Sequence, residues 1–189
     1  MIAKDRKERR LSPWILWSIA ALVQLALIAL PLGERLFVHA MGTEVTLALR
    51  PVDPRDLLRG DYVIINLEIE RVELPADRQS RGTPQVGDTV WTLVEPDGQG
   101  VFRAVDALSE EAPAGRIALR GVVRRVADVR TLIVDYGIDA FFVPEGAGLE
   151  IERAERDSVR LVVAVTADGS SAPLHLVSNG EVLLSDGAF

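Results

Sequence analysis

The sequence predicts a mainly β protein: an N-terminal transmembrane helix, then an antiparallel β-sandwich or small barrel with one short helix. Three observations predict this architecture. A run of twenty uncharged residues lies near the N-terminus, about eight or nine short segments beyond it have strand character, and Gly, Pro, Asn and Asp turn signals separate those segments closely. A sandwich and a barrel share this pattern, so the sequence leaves both open.

The uncharged run extends from Pro13 to Leu32, and at 1.5 Å per residue it covers roughly 30 Å, the thickness of a hydrocarbon core. Ser12 before Pro13 is a good helix start, and Trp14 and Trp17 suit the inner interface. Basic residues precede the run, so the positive-inside rule predicts a single-pass protein of the cytoplasmic (inner) membrane with its C-terminal part outside. The expected division is a cytoplasmic basic tail 1–12, a transmembrane helix 13–32, a juxtamembrane linker 33–42 and an extracytoplasmic β-rich domain 43–189.

A cleaved signal peptide is the alternative interpretation of this N-terminus. Val38-His39-Ala40 has the form of a cleavage site, with Ala40 last before the cut. The apolar run is longer than the usual 7–15 residues, however, and eight residues separate its end from Ala40. We therefore expect the span to be retained as an anchor in the lipid bilayer.

Gln24 is the strongly polar side chain near the middle of the span. An amide at that depth can form hydrogen bonds with another membrane helix. A helical spacing of three and four places it on one face with three other residues. The candidate helix-pairing face is Trp17, Ala21, Gln24 and Ile28. The alternative is a tolerated single amide without a partner.

The stretch from Pro51 to Glu70 combines a turn rich in proline and charge with a regular strand pattern. Arg50-Pro51 and Asp53-Pro54 indicate turns, and alternating apolar residues after Asp61 predict a strand over 63–70. Charged and aromatic groups cluster on the turn, where a loop held by a rigid scaffold can contact a partner. The candidate binding surface is Arg55, Asp56, Arg59, Gly60, Asp61 and Tyr62; a purely structural turn is the alternative.

Residues 60–67, GDYVIINL, with DPRDLLR upstream, resemble the bacterial family named for its GDYXXLXY motif. Gly60, Asp61 and Tyr62 match the motif, whereas Ile65 stands where the family has leucine and Leu67 where it has tyrosine. The resemblance implies a small protein with one N-terminal span and an extracytoplasmic part of unknown activity. Members are often encoded beside multi-span membrane proteins, which implies a partner of that kind.

The rest of the chain is predicted from its strand and turn patterns. Glu95 to Gly100 and Asn179-Gly180 are hairpin turns, Gly137 suggests a bend, and 71–85 reads as an irregular loop. The charged segment 144–156 is the short surface helix. The predicted strands cover 43–50, 63–70, 90–94, 101–105, 117–126, 129–136 with its continuation 138–143 after the bend, 159–166, 174–177 and 182–184.

Composition excludes several classes of function. Residues 1–10 carry five basic and two acidic side chains, so the rest of the chain has a net charge of −10 where the whole has −7, which argues against a nucleic-acid partner. The absence of cysteine excludes thiolate chemistry, and the lysines, Lys4 and Lys7, lie on the predicted cytoplasmic side. His39 and His175 are distant in sequence and read as structural, so we expect no catalytic residues, no metal site and no cofactor.

Three hypotheses follow. The first is an accessory or interaction subunit of a multi-span membrane protein, which is not an enzyme. The second is an envelope protein that binds a sugar or peptide, with Tyr62, Trp91 and Arg59 as contacts. The third is an envelope hydrolase that uses carboxylates such as Asp56 and Asp61.

Overall fold

The computed structural model describes residues 12–50, 62–64, 66–76, 83–138, 140–142 and 158–185. The predicted surface helix over 144–156 lies outside these residues. The chain divides into two compact units, residues 1–36 and 37–189. The elements are α1 (Pro13–Met41), β1 (Thr43–Ala48), β2 (Tyr62–Ile64), a 3₁₀ helix (Glu68–Glu70), β3 (Arg71–Glu73), β4 (Thr89–Pro96), β5 (Phe102–Leu108), β6 (Ile117–Asp128), β7 (Thr131–Asp135), β8 (Ala140–Phe142), β9 (Val159–Val165), β10 (Ser171–Ser178) and β11 (Glu181–Ser185).

Helix α1 begins at Pro13, as the Ser-Pro pair predicts. The Ser12 carbonyl accepts hydrogen bonds from the N–H groups of Ile15 and Leu16 at 2.9 and 3.3 Å. The helix continues to Met41, so residues 33–41 are helical where the sequence suggested a linker. Hydropathy marks where the apolar run ends, whereas Glu, Arg, Leu, Ala and Met after that run are good helix formers. Gly42 then ends the helix immediately before β1.

Nine strands form one sheet in the order β11-β10-β9-β1-β5-β4-β6-β7-β3. Neighbouring strands are antiparallel except β1 and β5, which are parallel where Leu47 lies opposite Phe102. Among the described residues, β11 and β3 form the two edges and do not pair with each other, so the sheet is not a closed barrel. The predicted mainly β fold is confirmed, and the predicted antiparallel pairing holds for this sheet except between β1 and β5.

The sheet curves around its core. One apolar cluster, the main core, combines residues of β1, β9, β10 and β11 with Val94 of β4 and Leu119 of β6. β9 and β6 are separated in the sheet by three strands, so their side chains meet only because the sheet bends over on itself. A second cluster lies under β3, β4, β6 and β7, and the ring of Tyr136 packs against both clusters.

β9 is buried on both of its faces. Leu161 and Val163 point into the main core, while Ala164 on the opposite face packs with Val38 of α1 and Ala172 of β10. The last turn of α1 thus covers the outer side of this part of the sheet. Burial on both sides explains why β9 has a nearly continuous apolar sequence instead of an alternating one.

Both predicted hairpin turns are confirmed. Asn179 and Gly180 have φ of 51° and 86°, the left-handed pair that a two-residue hairpin requires, and they join β10 to β11. At the β4–β5 turn, Asp97 Oδ1 accepts hydrogen bonds from the N–H groups of Gln99 and Val101. These bonds hold the pKa of the Asp97 carboxyl below its usual value.

The predicted strand over 63–70 is wrong in its second half. β2 is described only over Tyr62–Ile64, and Glu68–Glu70 form a 3₁₀ helix. The Glu70 N–H donates to the Leu67 carbonyl, and Glu70 Oε1 accepts the Leu67 N–H at 3.1 Å. Leu67 and Ile69 are nevertheless buried, at 1% and 2% exposure, so a tight turn satisfies the same alternating pattern. β3 then lies inside the stretch predicted as a loop.

Candidate functional site

The candidate helix-pairing face lies on the N-terminal unit. Trp17, Ala21, Gln24 and Ile28 are all exposed on α1, with Trp17 at 74% and Ile28 at 64%. Their spacing of four, three and four residues places them along one stripe of the helix. This stripe therefore offers an amide between apolar side chains to another helix. Within the described residues, α1 is the one helix long and apolar enough to cross a membrane.

The motif strand β2 belongs to a second, two-stranded sheet with β8. Tyr62 lies opposite Phe142, Val63 opposite Phe141, and Ile64 opposite Ala140, in antiparallel register. Of the six candidate surface residues, Tyr62 lies at the start of β2. The other five, Arg55, Asp56, Arg59, Gly60 and Asp61, lie outside the described residues. The structure therefore places the strand that follows the motif turn, but it does not test the candidate surface itself.

Leu67, at the eighth and last position of the motif, is a core residue. It is 1% exposed and forms an isolated antiparallel bridge with Leu49. Next to this bridge, the Arg50 N–H donates to the Asn66 carbonyl at 2.7 Å. The chain therefore returns to the main core directly after the motif strand. At this position the side chain packs against other apolar groups instead of presenting a hydroxyl.

A family model described as GDYXXLXY protein matches residues 24–176, from the middle of α1 to β10. The chain belongs to the GDYXXLXY protein family. No curated protein and no solved structure matches it. In this GDYXXLXY protein the matched range includes β1 to β9 and most of β10.

The hydroxyl of Tyr136 is a buried polar group between the two apolar clusters of the β-domain. It lies 2.9 Å from the Ile69 carbonyl oxygen and 2.8 Å from Thr92 Oγ1. A carbonyl oxygen only accepts, so Tyr136 uses its one proton toward Ile69 and Thr92 donates to the tyrosine oxygen. Burial raises the pKa of Tyr136 above its ordinary value. Gly121 leaves space for the ring, because a Cβ there would lie 2.8 Å from Tyr136 Cδ1.

The β9–β10 loop, residues 166–170, docks on the opposite half of the sheet. Trp91 Nε1 of β4 donates to the Asp168 carbonyl at 2.8 Å, and the Arg120 N–H of β6 donates to the Gly169 carbonyl at 2.8 Å. The Asp168 carboxylate accepts the hydroxyls of Thr166 and Ser170 at 2.6 Å each. These two bonds hold the pKa of Asp168 below its usual value.

Sequence reasoning missed this docking. The residue types of Asp168 and Gly169 favour a turn, and Gly169 has φ of +89°, but nothing local indicates what the turn contacts. Trp91, a candidate ligand contact in the sequence, lies half-buried with its N–H bonded to the loop, and a Cβ at Gly169 would be 2.8 Å from its ring. The indole therefore has a structural contact on this side.

The two histidines lie on different elements of the second unit. His39 is in the last turn of α1, where its Nε2 is buried without a hydrogen-bond partner among the described residues. His175 lies in β10 opposite Ser185 of the edge strand β11. Across the part of the chain that the structure describes, no three His, Asp or Glu side chains converge as metal ligands.

Proposed function

We propose that this GDYXXLXY protein is a single-pass accessory subunit of a multi-span membrane protein. Its N-terminus would lie in the cytoplasm and its β-domain on the outer side of the inner membrane. The observation that carries the proposal is the exposed stripe of Trp17, Ala21, Gln24 and Ile28 on a helix long and apolar enough to span a bilayer. The division of charge between residues 1–10 and the rest of the chain supports the orientation.

Gln24 supports a protein partner because its amide has hydrogen-bonding groups that lipid tails cannot satisfy. A second helix supplies those groups, and the small side chain of Ala21 lets its backbone approach closely. Interhelical hydrogen bonds of this kind contribute about 0.6 to 2 kcal/mol in membranes, enough to bias which helices associate. The neighbouring Trp17 and Ile28 add packing surface on the same stripe.

Purification from the native membrane in a mild detergent tests the proposal. We expect a multi-span protein to accompany the full-length chain in a fixed ratio, measured by mass spectrometry. Gln24→Leu should lower that ratio several-fold. In the matched control, Gln24→Leu combined with Leu25→Gln keeps the composition but moves the amide about 100° around the helix, and it should not restore the partner.

The outcomes decide between the hypotheses. Equal recovery of the partner with Gln24→Leu and with the unmodified chain would remove the helix-pairing argument. If Tyr62→Ala lowers recovery as well, the motif strand takes part in the same complex. A chain that purifies alone would contradict the accessory role. Accessibility tags at the two ends test the orientation independently.

A further inference from the structure

The last turn of α1 presents two apolar side chains away from the β-domain to which it is packed. Val38 is 7% exposed and contacts Ala164 and Ala172 of the sheet. Phe37 and Met41, one helical turn apart on the same face, are 59% and 68% exposed. This turn therefore has one face packed against protein and one apolar face exposed.

The last turn of α1 follows the predicted span closely in the sequence. The uncharged run ends at Leu32, and Phe37 and Met41 come five and nine residues later. Between Phe37 and Met41 the helix rises about 6 Å, which is comparable to the depth of one headgroup layer. The outer interface of the bilayer is therefore the membrane boundary nearest to this turn in the sequence.

The geometry points to the outer leaflet as the partner of this face: Phe37 and Met41 insert at the lipid headgroup boundary and seat β9 and β10 against the membrane surface. The inference rests on the proposed membrane anchoring. It goes beyond that proposal because it concerns the β-domain and not the helix-pairing stripe.

A lipid surface fits this face better than a protein does. Two side chains on one turn bury a few hundred Å² at most, whereas stable protein interfaces bury about 1,200 Å² or more. An already anchored chain loses little further translational freedom when one turn inserts, so a small apolar area suffices. The chain after residue 10 has a net charge of −10, so anionic headgroups repel the domain. Contact must therefore come from apolar insertion.

The full-length chain contains no cysteine, which makes single-cysteine labelling clean. Phe37→Cys and Met41→Cys are labelled with a nitroxide and reconstituted into phosphatidylcholine vesicles. Electron paramagnetic resonance then compares collisions with apolar oxygen and with a water-soluble nickel complex. Leu25→Cys reports the bilayer centre, and Glu44→Cys, exposed on β1, reports the aqueous side.

We expect oxygen collisions to exceed nickel collisions at 37 and 41, with the excess larger at 25 and reversed at 44. Addition of phosphatidylglycerol should leave the order of depths unchanged. If 25 reports the bilayer centre while 37 and 41 match 44, this inference is overturned and the anchor stands. An aqueous label at 25 would overturn the anchor and this inference together. Labels at 37 and 41 that are shielded from both reagents would show a protein contact and overturn the lipid assignment.

Discussion

Removal of the Tyr136 hydroxyl should destabilise the β-domain more than its size suggests. Tyr136→Phe deletes one oxygen, but it takes the donor from the Ile69 carbonyl and leaves the Thr92 hydroxyl, which is 0% exposed, without its acceptor. A buried polar group left unsatisfied costs about 1–3 kcal/mol. We expect the free energy of unfolding to fall by about 2 kcal/mol. In a domain of this size, each kcal/mol lowers Tm by roughly 2–4 °C.

Thr92→Val is the matched partner variant. It replaces the hydroxyl with a methyl of similar shape, and the Tyr136 hydroxyl keeps its bond to Ile69. The expected loss is about 1 kcal/mol or less. In the double variant the Thr92 hydroxyl is no longer stranded, so the total loss should fall short of the sum of the single losses by about 0.5–1.5 kcal/mol.

Urea unfolding of the four proteins in the same detergent, followed by circular dichroism of the β-domain, measures these differences. The double-mutant cycle separates the coupling from the general cost of each substitution. Additive losses would refute the assigned network, because two groups that do not share a hydrogen bond have no reason to couple. A larger loss for Thr92→Val than for Tyr136→Phe would refute the assigned direction of the bonds.

Three further predictions concern the same domain. Burial raises the pKa of Tyr136 above 10.0, so above that pH the folded state keeps a proton that the unfolded chain loses. The free energy of unfolding should therefore fall above about pH 10, by up to about 1.4 kcal/mol per pH unit. Tyr136→Phe should lack this part of the decline. Gly42→Ala places a Cβ 2.6–2.9 Å from α1 and β9 and should lower Tm, whereas Gly33→Ala, with open space around it, should be neutral or stabilising; equal effects would contradict the tight junction. Gly169 has φ of +89° and lies against an indole ring, so Gly169→Ala should lower the free energy of unfolding by about 1–3 kcal/mol and change tryptophan fluorescence. The control Gly98→Ala should change the free energy of unfolding by no more than about 0.5 kcal/mol. Unfolding curves and emission spectra measure both variants.

Features whose causes are local could be predicted from the sequence. Asn179-Gly180 specifies its hairpin through two left-handed residues, and Ser12-Pro13 marks the start of α1 through its cap. The alternating pattern of Leu67 and Ile69 was misleading because a 3₁₀ turn and a strand can bury the same two side chains. Apolar spacing records which side chains leave water, and it does not record which backbone brings them there.

Features that depend on distant residues could not be predicted. The Trp91 contact with Asp168 joins residues 77 positions apart, and the Tyr136 contact with Ile69 joins residues 67 apart. Neither pair carries a local signal in the sequence. The same limit applies to β2: its alternating residues predict a strand, whereas its pairing with β8 is visible only in the structure.

The two long-range contacts explain how an open sheet keeps its curvature. A closed barrel fixes its shape by pairing its first and last strands, but here β11 and β3 remain edges. The β9–β10 loop instead forms hydrogen bonds with β4 and β6, and Tyr136 joins the 3₁₀ helix to β4. Val38 of α1 packs on β9 and β10, which are the strands that carry the docked loop. The strands on which α1 ends are therefore also the strands whose connecting loop joins the two halves of the sheet.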